Sequence, residues 1–262
     1  MLFRSIRMNV HLRRTGIVVL VVSLLSAGIA GQFLLAARRP VRTDQISDSA
    51  IAALGGLRAL ASEVVWFRAG RLQREGRYVE LAQLAATLTR LDPYDAEVWQ
   101  YAACNLAYNI AAMMPTPEDR WRWVEAGIRL LRDGGIAVNP SEAGIYRELA
   151  LIFELKMGTN LDSAHAHYRA RWRGIVADVQ ARAAADPARA DAIWGELGMK
   201  PSVMREVAAR HGLKDWTEPL ASAIYWAEVG SSAVATDSDR ALLEGIVEQS
   251  KNLLAKRQNM VK

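Results

Sequence analysis

In this 262-residue chain, His165-Ala166-His167 is the pattern that most resembles a metal site. Two residues apart on a helix, the rings diverge by about 200°, so they cannot grip one ion there. Chelation would need a strand, or a third ligand such as Asp162 or His211. Cys104 sits among Ala102, Ala103 and Leu106 and reads as a small core residue rather than a nucleophile. As the single cysteine it excludes an intramolecular disulfide and leaves the compartment open. Glu118 and Asp119 fall in a first helical turn, where the helix dipole already accounts for them. Glu148 and Glu154 lie six residues apart and need a fold to bring them together. Gly-rich phosphate loops, zinc-ligand spacings, CxxCH and G-x-S-x-G elbows are missing from the sequence. The expectation is a protein that is not an enzyme, with no catalytic residue, metal, cofactor or small-molecule substrate. A helical enzyme stays a minor alternative.

Aromatic residues point elsewhere. Trp121 and Trp123 are two apart on one predicted helix, so both cannot face the same core. One must lie on another surface, as a contact candidate or under the neighbouring 113–117 segment.

The elements that position these residues begin with an apolar run. Thr15–Ala37 holds 23 residues without a charge, enough helix to span a bilayer core of about 30 Å. Arg13 and Arg14 flank one end, Arg38 and Arg39 the other. A cleaved secretory signal ending at Gly28-Ile29-Ala30 is the alternative, but the apolar run continues through Phe33, Leu34 and Leu35. Residues 1–43 carry seven Arg and no acidic residue, so the remainder has 26 basic and 28 acidic side chains despite the overall +5. Positive charge confined to the flanks of an apolar segment suits lipid headgroups and not nucleic acid. Four Arg before the run against three after it lean towards a cytoplasmic N-terminus and a periplasmic domain on a single-pass inner-membrane protein. Residues 1–14 are then a basic tail, 15–37 a transmembrane helix and 38–55 a stalk.

From about Gly56 the signals are helical. Leu57, Leu60, Ala61, Val64, Val65 and Leu72 recur at three- and four-residue spacings. Asp95, Thr116-Pro117 and Ser141 precede predicted helices as capping residues. Gly76, Asp133-Gly134-Gly135 and Gly158 are expected to stop them. The fold class is all-α, with paired helices and short links.

Residues 56–172 resemble the tetratricopeptide (TPR) family of hairpins about 34 residues long. Gly76 and Tyr78 are similar to its turn, and Leu91-Asp92-Pro93 to its closing proline. Trp99 is similar to the next repeat's Trp, with Ala102 and Ala103 at its tight helix contact. Val138-Asn139-Pro140 resembles a second closure, and Tyr146, Leu149, Ala150, Ala164 and Tyr168 a third unit. Trp226-x-x-Val229-Gly230 echoes the family pattern again within the helical region 173–262, whereas 173–215 departs from it. The segments 117–135 and 146–158, with the stretch around Trp216 and Trp226, also resemble bacterial membrane-anchored TPR-like proteins of unknown function. The resemblance implies a superhelix of three to four degenerate repeats with a groove for a protein or peptide. On the first helices, the groove residues it implies are Trp66, Gly70 and Arg74, then Gln100, Cys104 and Tyr108, then Arg147, Leu151 and Glu154. Trp121 and Trp123 join them as contact candidates. A scaffold is the first functional expectation; a fixed subunit of a membrane transporter or secretion assembly is the alternative.

Overall fold

The computed structural model describes residues 64–260 apart from residue 66. The basic tail, Thr15–Ala37, the stalk and the groove candidate Trp66 lie outside the described residues. No described helix is long and apolar enough to cross a membrane.

Regular structure among the described residues is entirely helical. Helix α1 covers 67–74 and turns at Gly76, whose φ of 70° lies in the left-handed region that favours glycine. Helix α2, Tyr78–Leu91, buries Leu81, Ala85 and Leu88, spaced four and three apart on one face. Helix α3 comprises Ala96–Cys104, a π-helical stretch Asn105–Ile110 and Ala111–Met113. Helix α4 likewise runs through Pro117–Arg129, the π-helical Leu130–Gly135 and Ile136–Val138. Helix α5 is Ala143–Leu151 followed by the π-helical Ile152–Gly158. Then come α6 (His165–Ala185), α7 (Ala190–Gly195), α8 (Pro201–His211), α9 (Pro219–Ala233) and α10 (Asp237–Met260).

Two expected caps are present. The Asp95 carboxylate accepts from the Glu97 N–H at 2.9 Å, and the Thr116 hydroxyl from the Asp119 N–H at 3.1 Å, with Pro117 following. Ser141 does not cap α5: Glu142 holds that position, without a side-chain bond.

Three helices end alike. Asp92, Asn139 and Asp186 leave the helix at φ/ψ of −132°/72°, −126°/64° and −131°/79°, and each precedes a proline. Proline disfavours the α conformation in the residue before it, which explains the shared geometry. These closures recur 47 residues apart, against about 34 in the TPR family. After two of them an aromatic side chain six residues on bonds back to the proline carbonyl. Trp99 Nε1 donates to Pro93 O at 2.8 Å, and the Tyr146 hydroxyl to Pro140 O at 2.8 Å. Asn139 Nδ2 also donates to Pro93 O, at 2.9 Å, tying one closure to the next.

The hairpin α3–α4 closes on small residues. A Cβ on Gly127 would stand 3.1 Å from both the Ala103 carbonyl and the Ala107 methyl, and Ala103 is fully buried. Gly134 and Gly135 do not stop α4. A Cβ on Gly134 would meet the Trp99 ring at 2.5 Å, so its missing side chain makes room for tryptophan and the helix continues to Val138. Helix α6 runs unbroken through residues 172–173, where the family resemblance ends.

The chain beyond α6 changes direction. Helices α3 and α5 are parallel neighbours: Gln100 sits beside Gly144, Cys104 beside Glu148, and Tyr108 beside Lys156. In α9, by contrast, Gly230 meets Tyr146 while Leu220 meets Gly158, so α9 runs antiparallel to α5. The segment carrying α7 and α8 supplies the reversal. It is folded in rather than free, with Met199, Met204, Val207 and Leu213 buried in the main core. That core extends from Trp99 to Val247; Ala69, Leu72 and Leu81 form a smaller cluster under α1 and α2.

Candidate interaction face

Gln100, Cys104 and Tyr108 recur every four residues on α3, and Arg147 and Leu151 on α5; all five are half-buried. Because α3 and α5 are parallel neighbours, these side chains form one strip along the pair. Arg74 is exposed on α1 and Gly70 half-buried there.

Burial dominates the electrostatics of the strip. Burial, and then a hydrogen bond to Glu148, push the Cys104 thiol far up, which favours its protonated form. Burial, and then the charges of Glu148, Cys104 and Glu154, push the Tyr108 hydroxyl up as well. Tyr108 is thus within reach of the charges of both glutamates that sequence alone left apart. Its ring also lies 5.0 Å from the Lys156 ammonium, which faces Tyr168 at 5.9 Å. Lys156 is paired with Asp162 at 2.5 Å, and both side chains are largely buried. Burial raises the Asp162 pKa, but bonds from Lys156 and the Ala164 N–H outweigh it and hold the carboxylate below its ordinary range.

Glu154 departs from the groove expectation. It is fully buried, beneath α10, where Gln249 Nε2 donates to one carboxylate oxygen at 2.7 Å and the Ser250 hydroxyl to the other at 2.6 Å. Spacing along α5 could not show this, since the cover comes from a helix about 95 residues away. One signal was available: Ser250 continues the buried row of Leu243 and Val247, and a polar residue in such a row needs a polar partner.

The two tryptophans separate as their spacing requires. Trp121 is core, 1% exposed, with its ring 6.3 Å from Tyr168. Trp123 is half-buried and lines a cavity of about 320 Å³ with Met114, Asp119, Arg122 and Ala126. A wider cleft of about 770 Å³ lies between α4 and α6, and its rim charges are paired within the chain, as Arg182 is with Asp178 and Glu196. The rings of His165 and His167 turn to different partners: Nδ1 of His165 to the Asp162 carbonyl at 2.8 Å, and Nε2 of His167 to Glu118 at 3.1 Å. Among the described residues no three His, Cys, Asp or Glu side chains converge as a metal site would require. No protein-family model, curated protein or solved structure matches this chain.

Proposed function

We propose that this chain is a membrane-anchored protein-interaction scaffold of TPR-like helical hairpins, which offers the strip on α3 and α5 to a segment of a partner protein. The observation that carries this reading is the strip itself: five half-buried side chains of mixed character on two parallel neighbouring helices. Stacked hairpins commonly use such first-helix surfaces for extended peptides or helices. The 47-residue spacing of the closures lengthens each hairpin relative to the family and leaves the pairing principle in place.

Thr15–Ala37 is the anchor in this proposal, with the helical domain on the periplasmic side of the inner membrane. A fixed subunit of a membrane complex is the second reading, favoured by the apolar cavity at Trp123 and Met114 beside the 113–117 link. Crosslinking of native membranes followed by mass spectrometry and a detergent pull-down tests both. Exchangeable protein partners crosslinked to α3 or α5 support the scaffold. One constant stoichiometric membrane partner crosslinked near Trp123 supports the subunit. Absence of any crosslinked protein would count against both.

A further inference from the structure

Helix α10 lies along α5 in parallel. Leu243 reaches the end of α5 near Tyr146, Gln249 and Ser250 reach Glu154, and Arg257 donates to the carbonyls of Met157 and Gly158. In the middle of this seam Glu154 is fully buried without a cation. The charged groups around it are acids or are held by other partners, except Arg147 on α5, whose charge reaches Tyr108 as that of Glu154 does. On α5, Lys156 binds Asp162, and Glu148 is a second acid. From α3 comes Tyr108, a neutral phenol. On α6, Tyr168 is neutral and Arg169 is bonded to the Met157 carbonyl. Glu218, just before α9, takes Arg173 and Arg257, and on α10 Lys251 pairs with Glu248. A buried carboxylate held only by neutral donors carries a desolvation cost when charged that those bonds offset in part. The neutral acid fits the same place. Its hydroxyl can donate to Ser250 Oγ, which exchanges its donor role for an acceptor role, while its carbonyl oxygen still accepts from Gln249.

We propose that α10 is seated on α5 by a proton-linked latch at Glu154, so that the C-terminal helix is held more tightly as pH falls and loosened as it rises. Burial raises the Glu154 pKa, and the Ser250 bond partly offsets this. The sign follows from linkage. With the docked pKa above the undocked one, docking is strongest at and below the ordinary carboxyl range. It weakens by up to about tenfold per pH unit until the docked pKa is passed, and then levels off. Since α10 covers Glu154 and leaves Arg147 and Leu151 half-exposed, the latch sets how much of the α5 face is open. The latch rests on packing alone and is independent of any partner.

The test is hydrogen exchange of residues 243–257 in the full-length chain in detergent, with rates divided by intrinsic rates, from about pH 3.5, below the ordinary carboxyl range, to about pH 8.5. Wild-type protection should fall through one titration, and Glu154→Gln should remain protected without that step. Ser250→Ala, a smaller change that serves if Glu154→Gln does not fold, should move the step to higher pH, since the lost bond is stronger to the carboxylate than to the neutral acid. Parallel profiles for wild type and Glu154→Gln, or an unmoved step in Ser250→Ala, would overturn the proposal.

Discussion

Asp162 holds the loop before α6 by accepting from Lys156 at 2.5 Å and from the Ala164 N–H at 2.8 Å. Its folded pKa lies below the ordinary value, so it contributes stability above the unfolded carboxyl range. That contribution is lost as pH falls through the folded pKa. Asp162→Asn should therefore destabilise the protein at pH 7 by about 3 kcal/mol, since it leaves a buried ammonium unpaired. The deficit should shrink as the acid arm of the profile is approached. Urea unfolding at several pH values checks this, and a deficit constant with pH would refute the role given to the ion pair. Little of the pair was legible in sequence, because a lysine in an amphipathic helix reads as exposed, whereas Lys156 is buried in the π-helical end of α5.

Among the elements, the crossing of α3 and α4 is the most sharply specified. Ala103 is buried where its carbonyl faces Gly127, whereas Ala112 is exposed on the same helix. Ala103→Leu should overpack the crossing and cost about 1–3 kcal/mol, several degrees in thermal melting. Ala112→Leu should cost little. The substitutions are chemically identical, so equal melting temperatures would contradict the hairpin register. Local sequence marked the helix starts at Asp95 and Thr116-Pro117, and the family resemblance pointed to Ala103 as the close contact. Local sequence misled at Gly134-Gly135, where a pair of glycines reads as a stop but Gly134 makes room for the Trp99 ring and Gly135 for Ile145. Asp186-Pro187 repeats the closures at Asp92-Pro93 and Asn139-Pro140, yet its segment lacks the family's other residues, so the third closure was not evident from resemblance.

At the scale of the whole molecule, the all-α class and the paired helices follow from periodicity and caps, and the path of the chain after α6 does not. The reversal of α9 depends on where Met199, Met204 and Leu213 find core, which is a tertiary outcome. The same reversal brings α10 back along α5, which is why Glu154 is fully covered while Arg147 and Leu151 stay half-buried. The buried clusters formed by the described residues begin at Ala69, so deleting residues 1–43 should leave a helical, cooperatively melting domain that no longer sediments with membranes. Circular dichroism and membrane fractionation check both parts. Aggregation without a thermal transition, or continued membrane association, would contradict the separation of anchor and domain.

The most direct measurement of the interaction reading is site-specific photocrosslinking in the native membrane. A crosslinker replaces Gln100 or Leu151 on the strip in two variants, and exposed Gly174 on α6 in a third. The account predicts the same crosslinked protein from positions 100 and 151 and none from 174. Crosslinks from 174 with silence at 100 and 151 would contradict it.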